Sequence, residues 1–373
     1  MRHSSVLAGA AGCLAVLSLV SCGGGGYGSS MAGGPTMMAS GYVATRLVSD
    51  NNAANNPYST GNVDPRLVNA WGIAFNPQGF VWVANNGSST ATLYDGDGVR
   101  QTLVVAIPAG AGGSAKPTGT VFNGTQAFAF AQGGTTAPAV FIFAGEGGTL
   151  SAWSPSVNAN SAVVVVDRFA EGKSYKGLAI ASAGGAPRLY AADFHNAVVD
   201  VYDGNFAPVV SPGAFTDAQL PAGYAPFGIQ AIGNRIVVAY AKQDAQAADE
   251  VAGAGLGAVD VFDTAGTLTA RLIAPGGKLD APWGMVLAPA NFGTFSNDLL
   301  VGNFGDGRIN AFDPATGAWL GALGDGNGMP IAVAGLWGIA FGNGINGQPT
   351  NTLFFAAGPN DEQDGVYGRI DFR

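Results

Sequence analysis

The sequence predicts an all-β fold: a six-bladed β-propeller whose sixth blade is closed by an N-terminal strand. Three observations predict it. A pair of residues ending in Gly opens a β-branched or apolar run six times, at Trp71-Gly72, Thr118-Gly119, Lys176-Gly177, Phe227-Gly228, Trp283-Gly284 and Trp337-Gly338, and WGIAF recurs letter for letter at 71–75 and 337–341. Successive glycines lie 47, 58, 51, 56 and 54 residues apart, room for a four-stranded antiparallel unit with a long loop or two. Finally, 59 glycines and 20 prolines punctuate the chain, leaving no long stretch of 3.6-residue periodicity for helices.

Taken in order, residues 1–21 read as a lipoprotein signal peptide: Arg2, an apolar stretch from Val6 to Val20, then Ser21 and Cys22 as the lipidation site. Residues 22–41, rich in Gly and Ser, read as a linker. The propeller is expected over 42–373. Each unit adds a second apolar run, such as FVWVANN, RLYAADF or DLLVGNF, and a third ending near an aromatic, such as ATLYD, VDVYD or INAFD. The last unit runs out after three strands. YVATRLVS at 42–49 has no unit of its own, so it is expected to become the missing strand of blade 6 and remove an exposed edge.

Composition narrows the function classes. A 373-residue chain that is 47% hydrophobic and 11% charged has ample material for a core. A net charge of −9 and the lack of a Lys/Arg cluster argue against nucleic acid as a partner. EGKSYKG at 171–177 contains Gly-Lys-Ser but lacks the upstream Gly of a phosphate-binding loop, and no nucleophile elbow G-x-S-x-G occurs. Only His3 and His195 are present, which excludes a histidine-clustered zinc centre.

DPRLVNAWGIAF, LYAADFHNAVVDVYDG, LLVGNFGDGRINAFD and LFFAAGPNDEQDGVYG together resemble the NHL-like six-bladed propellers, and more closely a group of uncharacterised secreted bacterial propellers. The resemblance implies the fold over 42–373; the location expected from the signal ending at Cys22 is the bacterial cell envelope, with the chain lipid-anchored on the periplasmic or outer face. Some related folds are quinone-dependent sugar dehydrogenases with a catalytic His, or lactonases with a divalent ion held by an acid near the first inner strand. Here Ala70 precedes Trp71 and no acid enters any of the six pairs, a departure from the lactonase pattern.

Strand alternation places the entry to each first strand and each second-to-third loop on one face. That face is expected to gather an aromatic ring of Trp71, Phe227, Trp283 and Trp337 with Lys176, suited to stacking on a sugar or other flat ligand. Around it the loops bring Asn85, Asp193, His195, Asn303, Asp306, Asn360 and Asp361, an oxygen-rich set compatible with calcium, with His195 beside Asp193 as a candidate base. The opposite first-to-second turns, NPQG and AIGN, look shorter. The expected role is a ligand- or protein-binding module acting as a single copy on a glycan or protein. The alternative is a divalent-metal-dependent sugar lactonase or hydrolase.

Overall fold

The computed structural model describes residues 40–373. Cys22, the expected signal and most of the expected linker lie outside the described residues. The described chain is almost entirely strand and turn, with one short 3-10 turn at Phe169–Glu171.

Six antiparallel sheets follow one another along the chain. Blade 1 comprises Ala70–Phe75, Val81–Asn85, Thr90–Tyr94 and Arg100–Ala106. Blade 2 comprises Pro117–Phe122, Phe141–Gly145, Thr149–Trp153 and Val163–Asp167. Blade 3 has three strands, Tyr175–Ala183, Ala186–Asp193 and Val198–Asp203; a fourth begins with Val209 bonding back to Val201 before the chain leaves near Pro212. Blade 4 runs through Tyr224–Ile232, Arg235–Lys242, Gly257–Asp263 and Leu268–Ile273, and blade 5 through Pro282–Leu287, Leu299–Asn303, Ile309–Phe312 and Trp319–Ala322. Blade 6 contributes Leu336–Phe341, Leu353–Ala357 and Val366–Phe372, and its outer strand is Tyr42–Ser49. That strand pairs antiparallel with the last one from Tyr42 opposite Phe372 to Ser49 opposite Val366, so the two ends of the described chain close the ring.

The repeated glycines explain how the ring closes. A Cβ on Gly72 would strike the carbonyl of Thr118, one on Gly177 that of Phe227, one on Gly228 that of Trp283, and one on Gly284 that of Trp337. Gly338 meets the carbonyl of Trp71, returning to blade 1. Inner strands of neighbouring blades therefore pack backbone against backbone, which only glycine permits. The axial space lined by Gly72, Gly119, Gly284 and Gly338 and by Ile73, Leu178, Ile229 and Ile339 is about 30 Å³, room for one water.

Apolar side chains between blades form the rest of the core. Six clusters occupy the six blade interfaces, for example Trp82, Phe141, Phe143 and Trp153 between blades 1 and 2, where Trp82 stacks on Phe141 at 4.2 Å. Alternate residues of each strand point to opposite faces, so every blade feeds two interfaces and neither face of a blade is wet. The expectation of short turns on the far side holds for NPQG and AIGN. It fails for blade 2, whose first-to-second connection carries its own hairpin, Ala129–Gln132 with Thr135–Pro138, anchored by buried Phe128 and Phe130.

Candidate functional site

The first residue of each repeated pair sits at an irregularity of its inner strand. Pairing jumps from Tyr175 to Gly177, omitting Lys176, and from Pro226 to Gly228, omitting Phe227; comparable shifts bracket Trp71, Thr118, Trp283 and Trp337. A bulge leaves its residue out of the ladder and re-aims its side chain. Four of the six bulges supply the aromatics of a cluster shared by Trp71, Phe227, Trp283 and Trp337, with Phe194 and the half-buried Phe304. Trp71 and Trp337 stack at 3.6 Å, Trp283 meets both edge-on at 5.9 and 6.0 Å, and Phe304 stacks on Trp337 at 4.1 Å.

The expected open ring of aromatics is thereby corrected: Trp71, Phe227 and Trp337 are buried, with their faces taken up by one another. They plug the axis because inner strands packed this closely leave no channel for rings to line.

Lys176 is the charged member of the six and is 1% exposed. Its ammonium lies 5.3 Å from the Trp71 ring and 5.9 Å from Phe194, and it donates to Glu146 of blade 2 and, at 3.1 Å, to Asp249 of blade 4. Glu146 enters on the turn after Gly145, and it also accepts from Asn86 at 3.1 Å and lies 3.6 Å from the Lys116 ammonium. Glu362 of blade 6 accepts from Asn69 at 2.6 Å. Carboxylates from blades 2 and 4 thus hold one ammonium of blade 3, whose charge also acts on Glu362 of blade 6.

Electrostatics follow from that crowding. Burial alone would discharge Lys176, but Glu146, Glu250 and Asp249 outweigh it and hold the ammonium above its ordinary range. Burial pushes Glu146 up, yet Lys176, Lys116 and Asn86 more than reverse this and leave it below the usual carboxylate range. Burial, with Glu362 and Asp249 nearby, pushes Glu250 up to about 7 against the pull of Lys176. Glu362 is raised for the same first reason, opposed by Asn69 and Lys176.

Beside this cluster a groove of about 390 Å³ opens across blades 2 to 4, lined by Lys116, Glu146, Phe169, Lys173, His195 and Asp249 among others. His195 is exposed and its Nδ1 lies 3.1 Å from the Ala247 carbonyl. It is not paired with Asp193, which is buried, lies 3.1 Å from the Lys173 ammonium, and accepts from the Ser174 N–H and the Asn196 amide. The expected His–Asp couple is corrected accordingly: the strand-ending carboxylate is consumed in holding its own turn and Lys173.

The remaining expected residues divide between turns and rim. Asn85 is buried and donates to Thr90 and Thr92; Asn303 is buried and donates to the Lys278 carbonyl and to Asp306, which also caps the Arg308 N–H. Asn360 and Asp361 are exposed and, with Glu362, form three successive left-handed residues at φ 60°, 50° and 63°, a turn that carries Glu362 inward. Among the described residues no three of His, Cys, Asp and Glu are arranged to hold a metal ion. Glu146 and Asp249, which gather on this face, are turned onto the Lys176 ammonium instead. Sequence reasoning placed Glu250, Asp249 and Glu362 among the acids of this face but did not name Glu146. The available signal was the acid inside GEGG.

Fold and site together define a six-bladed β-propeller whose axis is closed by aromatics and crowned by a buried lysine. The chain is 32% identical over 324 residues to the uncharacterised protein R648 of Acanthamoeba polyphaga mimivirus, covering 85% of this chain and 78% of that one. It is 30% identical over 347 residues to the uncharacterised protein L690 of the same virus, covering 90% and 87%. The chain belongs to the family of these mimivirus proteins.

No family model matches the chain. Among solved structures, a protein of unknown function from Bacteroides thetaiotaomicron superposes with a TM-score of 0.55 at 10% identity, covering 90% of this chain and 76% of that one. A glucose dehydrogenase gives 0.50 at 14% identity, covering 88% and 98%. At such identities the likeness shows the fold alone.

Two expectations are overturned by the relatives. They are viral, so the assignment to a secreted bacterial family is withdrawn, and with it the lipid-anchored envelope location. The residues that carried the resemblance are strand and turn patterns of the propeller itself, and such patterns report architecture rather than source.

Proposed function

We propose that this protein is a binding module whose working face is the one bearing Lys176, with the groove beside it as the ligand site and a sugar unit as the ligand. The carrying observation is the buried Lys176–Glu146 pair at the edge of the groove. Replacing such a pair by apolar residues is commonly neutral or stabilising, so stability alone gives little reason to keep it here. Around the pair the groove offers forked and single polar groups from Lys116, Lys173, His195 and Asp249, and the half-exposed ring of Phe169 at its side. Polar groups flanking an accessible aromatic face match hydroxyl-rich rings with one apolar side.

Screening the full-length protein on a panel of neutral, acidic and amino sugars, followed by calorimetry on any hit, tests this reading. Phe169→Ala and Glu146→Gln should each weaken capture by tenfold or more. Sugars bound equally well by both variants, or no sugar bound at all, would refute it. Turnover of a sugar lactone that vanishes in Glu250→Gln would place the protein among enzymes instead.

A further inference from the structure

A second cavity, of different chemistry, lies between blades 5 and 6. About 210 Å³ is enclosed by Ala44, Val333, Phe355, Ala357, Pro359 and Val366, with Arg46 and Tyr58 as the polar members of the lining. The room exists because the side chains facing it are small: besides Ala44 and Ala357, Ala332 and Ala334 line it. Ala44 and Arg46 stand two apart on the outer strand of blade 6 and so share a face, which brings a guanidinium to the edge of an apolar hollow.

Arg46 is exposed, lies 5.8 Å from the Tyr58 ring and donates to the Pro57 carbonyl at 2.5 Å. Among the described residues no Asp or Glu forms an ion pair with it, whereas Arg369 on the adjacent strand pairs with both Asp97 and Asp371. Residues 1–39 contain no Asp or Glu at all. The cation at this cavity therefore lacks a side-chain counterion, and its donors match a carboxylate in fork geometry.

We propose that this cavity binds a small organic monocarboxylate, with its apolar body among Val333, Phe355, Ala357 and Val366 and its carboxylate on Arg46. A dry apolar cavity of about 150 Å³ accepts benzene, so this one suits a single aromatic ring or a chain of about six to eight carbons. The site is independent of the Lys176 groove and shares no lining residue with it.

The test is calorimetric titration of the full-length protein at pH 7 with benzoate and hexanoate, and with benzyl alcohol and hexanol as neutral counterparts. Saturable one-to-one binding at about millimolar or tighter is expected for the acids. Arg46→Gln and the neutral counterparts should each lose about tenfold or more. Ala44→Phe, which fills the mouth from an exposed position, should abolish binding with an unchanged melting temperature, and Glu146→Gln should leave it intact. The proposal is overturned if neither acid binds saturably, if benzyl alcohol binds as tightly as benzoate, if Arg46→Gln is without effect, or if Glu146→Gln abolishes binding.

Discussion

Gly338 faces the main-chain carbonyl of Trp71 so closely that a Cβ on it would stand 2.5 Å from that oxygen. The two belong to the two copies of WGIAF, which are thus neighbouring walls of one ring, blade 6 against blade 1. Because the opposing atom is backbone, it cannot move aside as a side chain would. Gly338→Ala should therefore destabilise by about 3 kcal/mol or more, at the upper end for overpacking. Gly133→Ala, in an open hairpin turn at φ 62°, adds only local backbone strain of about 1 kcal/mol. Chemical denaturation of both variants measures the difference.

Removal of residues 1–49 deletes the outer strand of blade 6, the buried side chains of Tyr42 and Val48, and the pairing from Tyr42 to Ser49. The loss reopens an edge and is expected to exceed about 5 kcal/mol, comparable to the whole margin of a typical domain. Soluble yield and the denaturation midpoint should fall together. A truncated protein with an unaltered midpoint would contradict closure by this strand.

The partners of Lys176 should contribute unequally. Glu146 is largely buried, so Glu146→Ala leaves an ammonium desolvated beside aromatic rings and should cost about 3 kcal/mol. Asp249 is 73% exposed at its side chain and its pair is screened by water, so Asp249→Ala should change stability by less than about 1 kcal/mol. Lys176→Met, which removes the cation and keeps the apolar volume, should free Glu146 and Glu362 to titrate upward, detectable by carboxylate NMR.

Glu250 gives a pH dependence of defined sign. Its folded pKa, about 7, lies above the unfolded value near 4.5, so the folded state holds the proton more tightly. Its contribution to stability is full below pH 4.5 and is lost as pH rises through 7. Asp260, buried and likewise pushed up to about 7, titrates in the same window. The informative quantity is consequently the difference between the wild type and Glu250→Gln, measured from pH 4 to 8. The variant should gain relative stability as pH rises, and a flat difference would show that Glu250 is not held near neutrality.

The stacked plug predicts a rigid axis. Trp337→Ala removes a ring in contact with Trp71, Trp283, Phe227 and Phe304 and should cost about 3 to 5 kcal/mol. Thermal unfolding measures this directly.

Strand order, blade number and closure by YVATRLVS were determined by the sequence alone, because alternating apolar runs, turn residues and their repeat distance are local properties of the chain. Chain order also placed Trp71, Lys176, Phe227, Trp283 and Trp337 at equivalent positions. What those residues face was decided only by tertiary structure. Each pairing gap is a one- or two-residue bulge in a ladder between separate strands, and the axis is reached only when six inner strands close around it. Likewise Glu146, Asp249 and Glu362 are 30, 73 and 186 positions from Lys176 and share no motif with it. They meet because blades 2, 4 and 6 present their second-to-third loops on the same side of a closed ring. Burial then shifts three ordinary acids, Glu146, Glu250 and Glu362, together with one lysine, a property of the desolvated assembly and not of any segment within it.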